Sequence, residues 1–160
     1  MSFPVLAWMF VVAIAIHNTE EAIWLPAWSR HAGRWRISVG AREFRLALLV
    51  LTILAAVAVV LTIAQGKQSP GAYLLCGYAL AMLVNVAVPH LLATLSMRRY
   101  APGTATAVIL NLPATWMLLR TALAEGWVDG GTFTWVGPLV ALGIAASVPA
   151  LFRLGRALVA

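Results

Sequence analysis

Charge is scarce in this chain, and negative charge most of all: only 10% of residues are charged, and five residues are acidic. A water-soluble domain usually carries about 25% charged residues, so an ordinary soluble fold is excluded. An apolar fraction of 62% excludes a disordered chain as well. The single cysteine, Cys76, rules out an internal disulfide and any paired-cysteine metal site. Glycine-rich phosphate loops and nucleophile elbows are also missing. The net charge of +6 comes from basic residues confined to short segments between long apolar runs. That placement suits anionic lipid headgroups and argues against nucleic acid.

What the chain has in quantity is apolar length. Five runs reach the roughly 20 residues that a membrane span requires: residues 3–25, 44–64, 72–96, 104–123 and 132–152. The expected fold is all-α, a single transmembrane domain of five helices over residues 1–160. Proline and glycine punctuate the breaks, at Pro26, Gly33, Gly66, Pro70-Gly71, Pro102-Gly103 and Gly130-Gly131. Pro26 is expected to end the first helix early. The start, Met1-Ser2-Phe3-Pro4, lacks the basic n-region of a signal peptide, so the first run reads as a retained helix.

Lys and Arg residues set the expected orientation. Arg30, Arg34, Arg36, Arg42 and Arg45 cluster at the first connection, Arg98 and Arg99 at the third, and Arg153 and Arg156 in the tail. These three segments share one side in a five-helix chain, whereas the other side offers Lys67 and Arg120 against Glu125 and Asp129. The N-terminus is therefore expected outside and the C-terminus in the cytoplasm, in a bacterial plasma membrane. Trp24, Trp28, Trp35 and Tyr100 mark the inner border; Trp8, Tyr73, Trp127 and Trp135 mark the outer one. Gly137, Ala141 and Ala145 have the small-xxx-small spacing of close helix packing or of a homodimer contact.

Against this background a few polar residues stand out. The first helix contains His17-Asn18-Thr19-Glu20-Glu21, and each ionisable group near a helix centre costs about 2.5–3.5 kcal/mol on insertion. Helical spacing puts His17, Glu20 and Glu21 on one face, with Asn18 and Thr19 turned elsewhere. The third helix carries Asn85 and His90 around Pro89, and the fourth carries Asn111. At about 1.5 Å per residue, Glu21 lies roughly 13 Å from Arg30, His90 roughly 12 Å from Arg98, and Asn111 roughly 12 Å from Gly103. All fall in the cytoplasmic half, so helices one, three and four are expected to enclose a site, with helices two and five as shielding.

The His17-Asn18-Thr19-Glu20-Glu21 string with Pro26 and Trp28, the later Asn85 and His90, and Tyr100-Ala101-Pro102-Gly103 resemble the pattern of small bacterial integral membrane proteins named for an H-x-x-E-E motif. The resemblance spans most of the chain. It implies a compact multi-helix membrane protein and brings no established reaction with it.

Chemistry must be read from the residues. His17, Glu20, Glu21 and His90 form a ligand set suited to a single zinc or iron ion, since two carboxylates are too few for two metals. Without metal, adjacent buried carboxyls would differ in protonation, one serving as acid and its partner as base in the isomerisation or cyclisation of a lipophilic substrate. Asn85, Asn111 and Tyr100 are then the expected substrate-binding residues. The competing readings are ion or small-ligand transport and a purely structural set of interhelical hydrogen bonds. The latter contribute only about 0.6 kcal/mol each in a membrane bundle, which makes them a poor reason for two glutamates. The outer halves of helices one, three and four offer little polar lining for a transport path, which favours the enzyme.

Overall fold

The computed structural model describes residues 1–30 and 40–158, and among these the regular structure is entirely helical. Five helices are long and apolar enough to cross a membrane: α1 (Phe3–Ser29), α2 (Ala41–Gln65), α3 (Pro70–Met97), α4 (Thr104–Ala124) and α5 (Gly130–Ala157). Most exceed the apolar runs by a few residues, because their polar flanks are helical too. His31, Gly33, Arg34, Trp35 and Arg36 of the first connection lie outside the described residues.

Pro26 does not end α1, which continues to Ser29. A proline cannot donate to the carbonyl four residues earlier, here that of Ala22. The Arg45 Nε takes that acceptor instead, at 3.1 Å, so the helix passes the proline without leaving an unpaired carbonyl. Pro89 acts differently. Around it α3 kinks, with Val88 in extended conformation at φ −133°, ψ 116° and a cis Val88–Pro89 bond. A π-type turn, Ala107–Asn111, interrupts α4. Such wide turns are rare and concentrate at functional sites.

α3 packs on α2, α4 and α5, while α1 packs on α2 and α4. The apolar core is built from Phe3, Leu6, Phe10 and Ile14 of α1, at helical spacing, against Leu75, Tyr78 and Ala79 of α3 and Leu118 and Ala122 of α4. Phe10 meets Tyr78 edge-on, and the Tyr78 hydroxyl donates to the Leu51 carbonyl at 2.9 Å. One end of the bundle is closed by Phe3 stacked on Trp127 and by Gln68 N–H donating to the Trp127 carbonyl at 2.7 Å. The opposite end gathers the α1 C-terminus, the α2 N-terminus and the α3–α4 turn, with Trp28 Nε1 donating to the Tyr100 carbonyl at 3.1 Å. Arg30, Arg42, Arg98, Arg99, Arg153 and Arg156 are all exposed.

The small-residue stripe of α5 is used in part within the chain. Gly137 is buried, and Ala141 and Ala145 line a groove against Leu80, Val84 and Val88 of α3. Closer still is Gly77 of α3, where an added Cβ would lie 2.4 Å from the Val140 Cβ of α5. We predict that Gly77→Ala separates these helices and lowers stability by about 1–3 kcal/mol, the range for overpacking. Gly143→Ala, which meets nothing within 4 Å, should be tolerated. Thermal unfolding in detergent measures both, and equal midpoints would contradict the close α3–α5 approach.

Candidate functional site

Consecutive residues of a helix are about 100° apart, so Glu20 and Glu21 cannot both point the same way. The three ionisable residues of α1 accordingly do not share one surface: they divide between two. His17 and Glu21, one turn apart, face the bundle interior with His90 of α3, whereas Glu20 turns to the beginning of α4.

His17, Glu21 and His90 are buried, and one potential ligand atom from each lies within 4.8 Å of the others. The His17 Nε2 is 3.8 Å from one Glu21 oxygen, and the His90 Nε2 is 3.5 Å from the other. The rings meet edge to face with centroids 4.8 Å apart. Among the described residues, these three side chains are the set that could hold a metal ion. The kink of α3 leaves Val88 and Pro89 exposed and His90 buried.

The far side of the His17 imidazole is engaged. The Nδ1 of His17 is 3.0 Å from the Thr106 hydroxyl, which itself donates to a Glu20 oxygen at 2.7 Å. A carboxylate only accepts, so the hydroxyl proton points to Glu20 and the imidazole proton sits on Nδ1. The Nε2 lone pair of His17 is thereby left facing Glu21 and the Asn85 amide, whose Nδ2 lies 3.5 Å away. For His90, the backbone beside the ring is that of Pro102. The His90 Nε2 has no hydrogen-bond partner.

Glu20 is a fastening. Besides Thr106 it accepts from the Gly103 N–H at 3.0 Å and from the Tyr100 hydroxyl, so one carboxylate holds the turn between α3 and α4 against α1. It also sits at the N-terminus of α4, a position that favours negative charge. Tyr100 lies in this turn, half exposed, and partial burial followed by the bond to Glu20 raises its phenol above the ordinary tyrosine range. It therefore stays protonated and keeps donating. Tyr100 belongs to the fastening and does not line the interior cavity.

That cavity, of about 300 Å³, begins at His17, Glu21 and Asn85 and runs between α1, α2, α3 and α5. Its walls include Phe44 and Leu51 of α2 and Ile144 and Phe152 of α5, so the second and fifth helices, expected to be mere shielding, form most of its apolar surface. Asn18, expected to point elsewhere, reaches its edge while donating to Thr52 Oγ at 2.8 Å. Asn111 is not among the lining residues. It is fully buried in α4, and neither its amide atoms nor the Thr115 hydroxyl one turn on has a hydrogen-bond partner. A larger groove of about 630 Å³ between α1 and α4 is apolar and contains none of the ionisable residues.

Thr106, Pro102 and Gly103 were absent from the expected site. A proline-glycine turn leading into Thr104-Ala105-Thr106 was visible as a helix start, but nothing in it signalled proximity to His17. Gly103, at φ +90°, roofs the cluster so closely that a Cβ would lie 2.6 Å from His90 Cε1 and 3.0 Å from both Glu21 Cγ and His17 Cε1.

Fold and site together define a class: five-helix, apolar proteins with a histidine–glutamate cluster in the bundle interior. The chain belongs to the family described as "Protein of unknown function with HXXEE motif", which matches residues 8–118. The motif is His17 through Glu21, and the match takes in His90 and the Tyr100–Thr106 segment. The chain is also similar to the uncharacterized protein YrkK of Bacillus subtilis (strain 168), with 31% identity over 146 residues that cover 91% of this chain and 92% of that protein. No solved structure matches.

The roof makes a direct prediction. Gly103→Ala combines backbone strain with collision against three site residues, whereas Gly126→Ala at φ +70° carries the strain alone, having nothing within 4 Å. The strain is about 1–2 kcal/mol. Gly103→Ala should cost clearly more than Gly126→Ala in thermal unfolding; equal losses would mean that the turn does not cover the histidines.

Proposed function

We propose that this protein is a membrane-embedded enzyme that acts on a lipophilic substrate at the His17–Glu21–His90 cluster. The observation that carries the reading is the union of a buried reactive cluster with an apolar cavity of about 300 Å³ that begins at it. Mostly apolar walls with a few convergent polar groups are the usual form of a small-molecule site. Phe44, Leu51, Met82, Ile144 and Phe152 would hold an apolar body, and Asn85, His17 and Glu21 would meet its single polar or unsaturated end. The partners are then the lipid bilayer and that lipophilic molecule.

In this reading the five helices span a bacterial plasma membrane, with the N-terminus outside and the arginine-rich end of the bundle in the cytoplasm. The cluster then lies in the cytoplasmic half, where a substrate could come from the inner leaflet and protons from the cytosol. A buried carboxylate beside two imidazoles can move protons in an isomerisation or cyclisation, and the same groups can hold a metal that polarises the substrate. Orientation is tested by reporter fusions after Gly33 and after Gln68, which should report cytoplasmic and external compartments respectively. The same compartment for both would remove the arrangement.

The enzyme reading is tested with purified protein in lipid nanodiscs, incubated with a total bacterial lipid extract and analysed by mass spectrometry. Wild type should convert a component that Glu21→Gln, at unchanged thermal midpoint, leaves intact. The loss of a catalytic acid or base typically lowers rate about 10²–10⁴-fold. Equal conversion by both would exclude Glu21 chemistry, and a Glu21-dependent ion flux in liposomes without conversion would replace the enzyme by a transporter.

A further inference from the structure

We propose that His17, Glu21 and His90 bind one divalent ion of the zinc type in four-coordinate geometry, with the fourth position open to the apolar cavity, and that Glu20 orients His17 without ligating the ion. This rests on the site proposed above and names its cofactor.

Three independent features point to metal. The first is spacing. In a tetrahedral site with bonds of about 2.0–2.1 Å, neighbouring ligand atoms are about 3.3 Å apart, against about 2.9 Å in an octahedral one. The Glu21 oxygens stand 3.8 and 3.5 Å from the His17 and His90 Nε2 atoms respectively, and one ligand atom from each side chain lies within 4.8 Å of the others, so an ion would draw the set together by up to about 1.5 Å to reach the tetrahedral edge. The second is orientation. Metal-bound imidazoles almost always donate their remote N–H to a carboxylate or carbonyl, often through a polar intermediary, and this fixes the tautomer. Here His17 gives its Nδ1 proton to Thr106, backed by Glu20. Its Nε2 lone pair is left to face Glu21, across from the His90 ring. The third is the buried His90 Nε2, which has no hydrogen-bond partner and lies 3.5 Å from a Glu21 oxygen.

Two imidazoles and one carboxylate are also the protein ligands of a well-known class of catalytic zinc site that keeps one position free. The cavity that starts at His17 and Glu21 supplies the space for that position, with Asn85 beside it. Glu20 is separated from the ion by Thr106, which assigns the adjacent glutamates of the motif to different tasks. One is a ligand, and the other a positioning residue that also locks the covering turn.

Purified protein stripped of metal is titrated with zinc chloride and, separately, with cobalt(II), with metal content and visible absorption as readouts and circular dichroism as the control for folding. Wild type should bind one ion per chain and show the intense visible bands of four-coordinate cobalt. His17→Ala, His90→Ala and Glu21→Gln should bind none at matching concentrations. Glu20→Gln and Thr106→Val should still bind one ion, about 10–100-fold more weakly, the usual effect of removing a supporting hydrogen bond. Two ions per chain, the weak spectrum of six-coordinate cobalt, or Glu20→Gln abolishing binding while Glu21→Gln retains it, would overturn the assignment. A wild type that takes up no ion yet converts a lipid refutes the metal and leaves the enzyme. One that binds the ion and converts nothing supports the metal and refutes the enzyme.

Discussion

The carboxylate of Glu20 is the interaction on which the site depends. In an apolar bundle an ionised group is costly unless protein groups replace its water, and here three donors from a single short segment do so: the Tyr100 hydroxyl, the Gly103 N–H and the Thr106 hydroxyl. By satisfying Glu20, that segment is drawn over His17 and His90, and Gly103 becomes their roof. The same contact sets the proton on His17 Nδ1. A requirement of solvation thus becomes a requirement of geometry, and the tautomer of His17, the closure of the α3–α4 turn and the alignment of α1 with α4 follow from one side chain.

Proline shapes the rest, in two different ways. At Pro26 the freed acceptor is taken up by Arg45 and α1 continues straight to the end that carries Trp28. At Pro89 α3 kinks instead, leaving Val88 and Pro89 exposed and His90 buried. The wide turn in α4 ends at Asn111, whose buried amide makes no hydrogen bond. An unsatisfied buried polar group costs about 1–3 kcal/mol, so this part of α4 carries a local disadvantage in stability beside the cluster.

The second and fifth helices show how an almost featureless sequence can still matter to function. Their residues carry no chemistry, yet they supply Phe44, Leu51, Ile144 and Phe152 to the cavity wall and thereby determine its size and shape. α5 reaches α3 closely because Gly77 lacks a side chain.

Composition alone determined that the chain is helical and apolar enough for five spans, because a long apolar run can satisfy its backbone in lipid only as a helix. It also singled out His17, Glu20, Glu21 and His90, because ionisable residues in such runs are expensive and therefore conspicuous. Periodicity could not separate the two glutamates: both lie within 100° of His17, and only the position of α4 decides which faces a partner and which faces the interior. Nor could it reveal Thr106 and Gly103, whose roles arise from contacts across more than eighty residues of chain between α1 and the start of α4. The cavity too is a property of packing, since its walls come from four helices whose mutual rotation is set by close contacts such as Gly77 on Val140. Local pattern reports the cost of placing a group in a helix; which neighbour offsets that cost is decided only when the helices assemble.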